Sequence, residues 1–191
     1  MNNLFAKINV TKINHIGIVC SDLNMSLKKW IKIPNAKLIS GPKINSRQKT
    51  KYAFVNIGNS YMIELIMPTS KKSPVHNFVK SGYSLNHICY EVKDFDKAVE
   101  ILEKEKSTKL VTGPIKDIAF NERRIVFFYN NLDGLFELVE TNFSKKKYKN
   151  KPVEKLKNKI MPNNNILEVK KIIYKLFPKT KNLNDKSLKI G

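Results

Sequence analysis

The residues N-H-I-G-I-V-C at positions 14–20 decide the interpretation of this sequence, because their first three letters recur at 86–88 in N-H-I-C-Y-E-V. The two copies are 72 residues apart, and Asp22 maps to Asp94 with the same offset. Further along, an offset of 73 relates F54-V55 to F127-F128 and I63-E64-L65 to F136-E137-L138. Agreement at four places within one residue of register indicates an internal duplication.

Each copy shows the pattern of one strand, one helix and three further strands. A run rich in β-branched residues comes first, at 15–20 or 87–92. An apolar stripe at helical spacing follows: Leu23, Leu27, Trp30 and Ile31, or Phe95, Ala98, Val99 and Leu102. Strand-like segments then lie at about 36–40, 51–57 and 61–67, and at about 108–112, 124–129 and 134–140. The sequence therefore predicts an α+β fold of two tandem βαβββ modules, 12–67 and 84–141.

The segment 142–191 differs from the repeat in composition. A lysine-rich linker precedes an apolar stripe that predicts one amphipathic helix ending at Pro178: Ile166, Val169, Ile173, Leu176 and Phe177. Together with residues 182–188 that follow it, this predicted helix resembles the opening of an acyl carrier protein. Two interpretations stay open, a plain basic tail and a truncated carrier-protein-like fragment. Under either one, we expect residues 12–141 to form the main domain.

The net charge of +20 raises the question of nucleic-acid binding, but its distribution argues against it. Residues 1–142 carry 21 basic and 13 acidic side chains, and residues 143–191 carry 15 and 3. Arginine, the usual ligand of base edges and phosphates, occurs only three times. We therefore expect no nucleic-acid partner and favour an anionic small molecule.

Three features of the sequence predict the location of the protein in the cell. No run approaches the ~18–20 apolar residues of a membrane span, and the first residues show no apolar core of a secretory signal. The two cysteines, Cys20 and Cys89, lie in apolar runs and are expected to be buried free thiols. These features predict a cytoplasmic protein with no membrane partner. Homodimer formation is left open.

Four residues at repeat-equivalent positions predict a metal site. Glu64 and Glu137 lie inside apolar strands, where an unpaired carboxylate costs several kcal/mol. Each copy also has one histidine on its first strand, His15 or His87. Taken singly, such a histidine is more often a core residue, and such a glutamate often faces solvent. Together they form an N2O2 set suited to one divalent ion such as Zn, Co, Mn or Ni.

These residues resemble the vicinal oxygen chelate superfamily, which includes glyoxalase I, extradiol dioxygenases, bleomycin-resistance binders and methylmalonyl-CoA epimerase. The resemblance covers about residues 12–141 and is closest to the epimerase. Two parts of the sequence carry it. The middle part comprises F54-V55-N56-I57-G58-N59, I63-E64-L65, then Pro68, Ser73, Pro74 and Phe78, and N86-H87-I88-C89-Y90-E91-V92; the last strand is G134-L135-F136-E137-L138. It implies a curved mixed sheet with the metal ligands on the first and fourth strands of each copy. These ligands would be His15, Glu64, His87 and Glu137.

The resemblance implies an isomerase that moves the α-proton of an acyl thioester such as an acyl-CoA. The metal would hold the substrate oxygen and stabilise an enediolate. Glu137 is the expected base, and Tyr52 stands where some epimerases have a second acid/base glutamate. A glyoxalase I-type lactoylglutathione lyase is the alternative enzyme, and a non-catalytic small-molecule binder of the resistance type is the alternative of another class. The segment I-A-F-N-E-R-R at 118–124 replaces the glycine-rich loop of the epimerases.

Overall fold

Eight strands of this chain form one mixed sheet in the computed structural model, which describes residues 4–58 and 60–141. The elements are α1 (Leu4–Lys7), β1 (Val10–Val19), α2 (Leu23–Trp30), β2 (Ala36–Asn45), β3 (Thr50–Ile57), β4 (Tyr61–Pro68), α3 (His76–Lys80), β5 (Leu85–Val92), α4 (Phe95–Lys104), β6 (Thr108–Asp117), a 3-10 helix (Ile118–Phe120), β7 (Arg123–Asn130) and β8 (Gly134–Glu140). The predicted α+β class and the repeated βαβββ order are confirmed. The predicted tail helix lies outside the described residues.

The strand order is β2-β3-β4-β1-β5-β8-β7-β6, so the first strands of the two copies meet at the centre. β1 and β5 pair antiparallel, while β1 pairs parallel with β4 and β5 parallel with β8. The remaining neighbours are antiparallel. The two halves of the sheet therefore have the same topology about the β1–β5 seam, as the duplication predicts.

Both longer helices begin at the aspartates that the repeat aligns. Asp22 accepts hydrogen bonds from the backbone N–H groups of Asn24 and Met25, and Asp94 accepts one from Lys97. These side chains satisfy N–H groups that have no partner inside the helix. In the predicted stripe of α2, Ile31 is the exception: it is the residue after the helix and is exposed.

The apolar faces of both helices cover the outer face of the sheet. Leu23 of α2 packs with Ala53, Val55, Ile63 and Leu65 of β3 and β4. On the other half, α4 contributes Phe95, Ala98, Val99 and Leu102 to a core with Val126, Phe128, Phe136 and Leu138. Since side chains alternate across a strand, the residues between these positions point to the inner face, away from the helices. Among the helices of the described residues, none is long and apolar enough to cross a membrane.

The sheet curves until its two edge strands touch. At the end of β2, Asn45 Nδ2 donates to both carboxylate oxygens of Asp117 at the end of β6, at 3.1 and 2.8 Å. Gln48 Nε2 donates to the same carboxylate at 2.7 Å, and the backbone N–H of Ala119 donates at 2.8 Å. Asn45 and Asp117 are themselves 72 residues apart. β2 and β6 thus run five residues beyond the predicted segments, and the added residues close the sheet over its inner face.

Asp117→Ala is expected to lower the free energy of unfolding by about 2–4 kcal/mol, because it leaves the buried Asn45 amide without its acceptor. Urea unfolding followed by circular dichroism measures this change. Asp133→Ala, in an exposed turn, is the control and should change stability by about 0.5 kcal/mol or less. Equal effects of the two substitutions would show that the contact between the edge strands contributes nothing specific.

Candidate metal centre

The four predicted ligands lie on the four central strands of the sheet and on its inner face. Gly17 of β1 stands opposite Glu64 of β4 and His87 of β5, while Cys89 of β5 stands opposite His15 and Glu137. Because paired residues share a face and residues i and i+2 of a strand share a face, this register brings all four side chains together. All four are buried.

The donor atoms of these side chains converge on one point. His15 Nε2 and His87 Nε2 are 3.0 Å apart. Glu64 Oε2 lies 3.3 Å from His15 Nε2 and 3.8 Å from His87 Nε2, and Glu137 Oε2 lies 3.3 and 3.4 Å from the same two nitrogens. Ligands bound at about 2.0–2.2 Å to a tetrahedral ion are about 3.3–3.6 Å from one another. The five distances that involve the two Nε2 atoms therefore suit a single ion of the zinc size class, and ligand atoms of His15, Glu64 and His87 all lie within 4.8 Å of one another.

Two asparagines determine which ring nitrogen of each histidine faces the centre. Asn14 Oδ1 lies 3.2 Å from His15 Nδ1, and Asn86 Oδ1 lies 2.8 Å from His87 Nδ1. An amide oxygen only accepts hydrogen bonds, so Nδ1 of each neutral ring carries the hydrogen. Both Nε2 atoms are then bare acceptors that point at each other and at two carboxylate oxygens.

Such a cluster of acceptors needs a cation. Glu137 Oε2 is buried 3.3 and 3.4 Å from the Nε2 atoms of His15 and His87, which in the neutral rings have no hydrogen to donate, and a buried carboxylate that nothing stabilises is costly. A divalent ion would be bound by all four atoms at once. The residues present therefore fit the predicted metal by their chemistry and by their spacing.

Without a cation, burial opposes the charged forms of His15, Glu64 and His87. Burial lowers the pKa of His15 to about 3 and raises the pKa of Glu64 to about 7. Burial also acts to lower the pKa of His87, but the Glu137 and Glu64 carboxylates outweigh it and the pKa rises. Metal binding stabilises neutral imidazoles and ionised carboxylates together, which removes this conflict.

Aromatic rings enclose the histidines. Phe54 meets the His15 ring edge-on at 5.6 Å, and its repeat-equivalent Phe127 meets the His87 ring edge-on at 5.2 Å. Phe120 of the 3-10 helix stacks on the His15 ring at 5.4 Å. Of the four ligand side chains, that of Glu64 is the most exposed, at 11%. The centre is therefore apolar around its rings and is most accessible from the side of Glu64.

Tyr52, predicted as a second acid/base, lies on β3 beside the centre. It is two residues before Phe54, whose register partner is Glu64, so it points to the same inner face. It packs with Phe54, Cys89 and Phe120. Burial raises the pKa of Tyr52, and the carboxylates of Asp117 and Glu64 raise it further. The phenol therefore stays protonated near neutral pH and can act as a donor.

Sequence reasoning missed several residues of this centre. Asn14 and Asn86 were part of the repeated N-H-I motif but had no assigned role. A Cβ atom on Gly17 would lie 2.3 Å from His87 Cε1, so only glycine leaves room for that ring. The repeat-equivalent of Gly17 is Cys89, whose thiol lies within 4.8 Å of donor atoms of His15 and Glu137. Both cysteines are free, as predicted, although Cys20 is only half-buried.

Comparison with known proteins gives a consistent family. A family model described as the Glyoxalase/Bleomycin resistance protein/Dioxygenase superfamily matches residues 14–127. The mitochondrial methylmalonyl-CoA epimerase of Dictyostelium discoideum is 31% identical over 144 residues, which are 73% of this chain and 84% of that protein.

Solved structures show the same fold. A methylmalonyl-CoA epimerase from Mycobacterium tuberculosis matches with a TM-score of 0.61 and 24% identity, over 69% of this chain and 88% of that one. A variant of the Streptomyces coelicolor epimerase, in complex with 2-nitronate-propionyl-CoA, matches with a TM-score of 0.60 and 22% identity, over 70% of this chain and 99% of that one. At these identities, the structural likeness concerns the fold.

Proposed function

The chain belongs to the glyoxalase/bleomycin resistance/dioxygenase superfamily and is an enzyme of its isomerase type, and we propose that it is a divalent-metal-dependent epimerase of acyl-CoA thioesters. The observation that carries the proposal is the convergence of two bare imidazole nitrogens and two carboxylate oxygens on one buried point. Methylmalonyl-CoA is the first substrate to test, because the Dictyostelium relative is named for it.

His15, Glu64, His87 and Glu137 would hold the ion. When bound, a divalent ion supplies Lewis-acid stabilisation of the negative charge that develops on a thioester oxygen as the α-proton leaves. We propose that the substrate approaches from the side of Glu64, the most exposed of the four ligand side chains. Phe120 and Phe54 would exclude water from the reacting carbon, which strengthens electrostatic interactions there.

The proton transfers are assigned to residues on opposite halves of the sheet. Glu137 on β8 is the candidate base for the α-proton: its Oε2 would bind the ion beside the two Nε2 atoms, and its other carboxylate oxygen, Oε1, would take the proton. Tyr52 on β3 is the candidate donor for the other face of the planar carbon, since it lies on the inner face and stays protonated. A two-base epimerisation needs one such group on each face, and a positioned acid or base typically contributes about 10²–10⁴-fold to the rate.

The location in the cell and the binding partners beyond the thioester stay predictions. The relative from Dictyostelium is a mitochondrial protein by name, so the cytoplasmic prediction from the sequence needs its own test. The basic excess of the chain favours an anionic ligand such as coenzyme A.

Removal and return of the metal tests the proposal. Protein stripped with a chelator should exchange no α-proton of methylmalonyl-CoA for deuterium in D2O. Reloading with Co, Zn, Mn or Ni should restore exchange. Mass spectrometry measures the deuterium incorporated into the thioester. The hemithioacetal of glutathione and methylglyoxal serves as the comparison substrate for the lyase alternative. Exchange that survives complete metal removal, or a loaded protein that exchanges no proton in either substrate, would contradict the proposed function.

A further inference from the structure

His15 and His87 each contact the asparagine that precedes them, Asn14 or Asn86, but the residues at the position that supports this asparagine differ between the two copies. Asn14 Nδ2 donates to Glu91 Oε2 at 3.0 Å, while Asn14 Oδ1 faces His15 Nδ1. The hydrogen bond to the carboxylate fixes the amide, because only the Nδ2 side of an asparagine can donate. In the other copy, the position equivalent to Glu91 is Val19, 72 residues earlier. A carboxylate at this position therefore supports His15 alone.

Cationic side chains hold Glu91 in this place. Arg123 Nη1 and Lys12 Nζ lie 3.5 and 3.6 Å from Glu91 Oε2. The guanidinium of Arg123 is in turn fixed, because it donates to the backbone carbonyls of Phe120 at 3.2 Å and Glu140 at 3.1 Å. The side chains of Arg123 and Glu91 are only 16% and 13% exposed, so solvent screens their interaction weakly, whereas that of Lys12 is 62% exposed and its interaction is screened more strongly.

The same arginine also supports the face of the His15 ring. Its guanidinium carbon lies 5.6 Å from the centre of the Phe120 ring, which stacks on His15. The imidazole is thus held at its Nδ1 edge through Asn14 and on one face through Phe120, and both supports lead back to the pair Arg123–Glu91.

We propose that Glu91 is a positioning residue that tightens the metal site through Asn14. By fixing and polarising the Asn14 amide, the carboxylate strengthens the acceptor that holds His15 Nδ1–H, and this directs the Nε2 lone pair at the ion. Loss of a hydrogen-bond partner behind a metal-binding histidine typically costs about 10–100-fold in metal affinity. The inference rests on the proposed function, because it concerns the same ion.

Variants that swap the amide at position 14 and the carboxylate at position 91 test the proposal. Glu91→Gln removes the carboxylate and should weaken metal binding about tenfold. Asn14→Asp keeps an acceptor for His15 Nδ1 but puts two carboxyl groups at hydrogen-bond distance, and should weaken binding by a similar factor. The double variant N14D/E91Q restores one amide and one carboxylate with their places exchanged. Its affinity should return to within about threefold of the wild type, which is strong coupling in a double-mutant cycle.

Metal dissociation constants from competition with a chromophoric chelator are the main readout, on the full-length chain. The visible spectrum of the Co(II)-loaded protein reports the ligand geometry, and the melting temperature of the metal-free protein reports the fold. Glu100→Gln is the matched control, since Glu100 lies on α4 with an exposed partner, Lys104. It should leave all three quantities unchanged.

The possible outcomes distinguish a failure of the proposed function from a failure of the proposed role of Glu91. A wild-type chain that takes up no ion overturns the proposed function and this inference with it. A wild type that binds metal while Glu91→Gln binds equally well overturns only the role of Glu91, and so does a double variant whose loss equals the product of the single losses. A lower melting temperature of Glu91→Gln with an unchanged dissociation constant would show a purely structural residue and would also overturn the role.

Discussion

Glu137→Gln is expected to slow α-proton exchange by about 10²–10⁴ while much of the metal stays bound, because the amide keeps an oxygen ligand and the side-chain shape but cannot take a proton. Deuterium incorporation into the thioester, together with metal analysis of the same sample, measures both effects. The expected effect is large because the Glu137 carboxylate is buried at the centre, with Oε2 3.3 and 3.4 Å from the Nε2 atoms of His15 and His87.

Tyr52→Phe is the companion variant for the opposite face. It removes one hydroxyl group from the inner face and keeps the ring that packs with Phe54 and Phe120. If Tyr52 supplies the second proton, exchange at the first face persists while inversion of configuration stops. If Glu137→Gln instead loses metal and activity together, Glu137 is only a ligand and the base is another group.

Gly17→Ala is expected to weaken metal binding by about 100-fold or more. Loss of a group that positions a metal ligand typically lowers the affinity by about 10–100-fold, so this effect would reach or exceed the top of that range. The new methyl group would lie 2.3 Å from Cε1, 2.6 Å from Nδ1 and 2.8 Å from Nε2 of His87. These distances are far below van der Waals contact, so the imidazole must leave its place and its hydrogen bond with Asn86. Isothermal titration with Zn²⁺ measures the loss.

Cys89→Ala provides a control at the repeat-equivalent position. Both substitutions end in alanine. Cys89→Ala removes the sulfur atom opposite His15, whereas Gly17→Ala adds a methyl group opposite His87. Its cost should be a modest loss of stability, about 1–2 kcal/mol for a small buried truncation, with the metal still bound. Equal metal affinities of Gly17→Ala and wild type would show that His87 is not a ligand.

The duplicated motifs predicted which four side chains meet on the inner face, because they carry them on strands of fixed periodicity. His15 and Glu64 lie on neighbouring strands of one copy, and the offset alone transfers this pair to His87 and Glu137. The helices were also predictable, since the aspartate caps and apolar stripes are local signals.

Asn14 and Asn86, which position the two histidines, were not predictable in the same way, because their contacts depend on strand register. The pairing of β1 with β5 is irregular at Asn14 and at Asn86, where the register steps from Ile13 to His15 and from Leu85 to His87. Such bulges redirect side chains, and here they place each asparagine beside the histidine that follows it. A sequence shows the residues of a bulge without showing that the strand is irregular there.

The edge strands were underestimated for a related reason. S-G-P-K-I-N at 40–45 and T-G-P-I-K-D at 112–117 form a further repeated pair, a fifth beside the four given above, but glycine and proline favour the interpretation of a strand end. In the structure, both segments continue as irregular edge strands that are paired with β3 and β7 up to Asn45 and Asp117. The hydrogen bonds between those two residues close the sheet over the metal centre.

Metal content per chain, in the wild type and in His87→Ala, tests the central claim most directly. Both proteins would be stripped with a chelator, dialysed against Zn, Co, Mn or Ni in turn, freed of unbound ion and analysed by elemental mass spectrometry. The account predicts about one divalent ion per wild-type chain, and at least about tenfold less in a soluble, folded His87→Ala variant, since one of four ligands is gone. A folded wild-type chain that retains none of the four metals, or a variant that retains as much metal as the wild type, would contradict it.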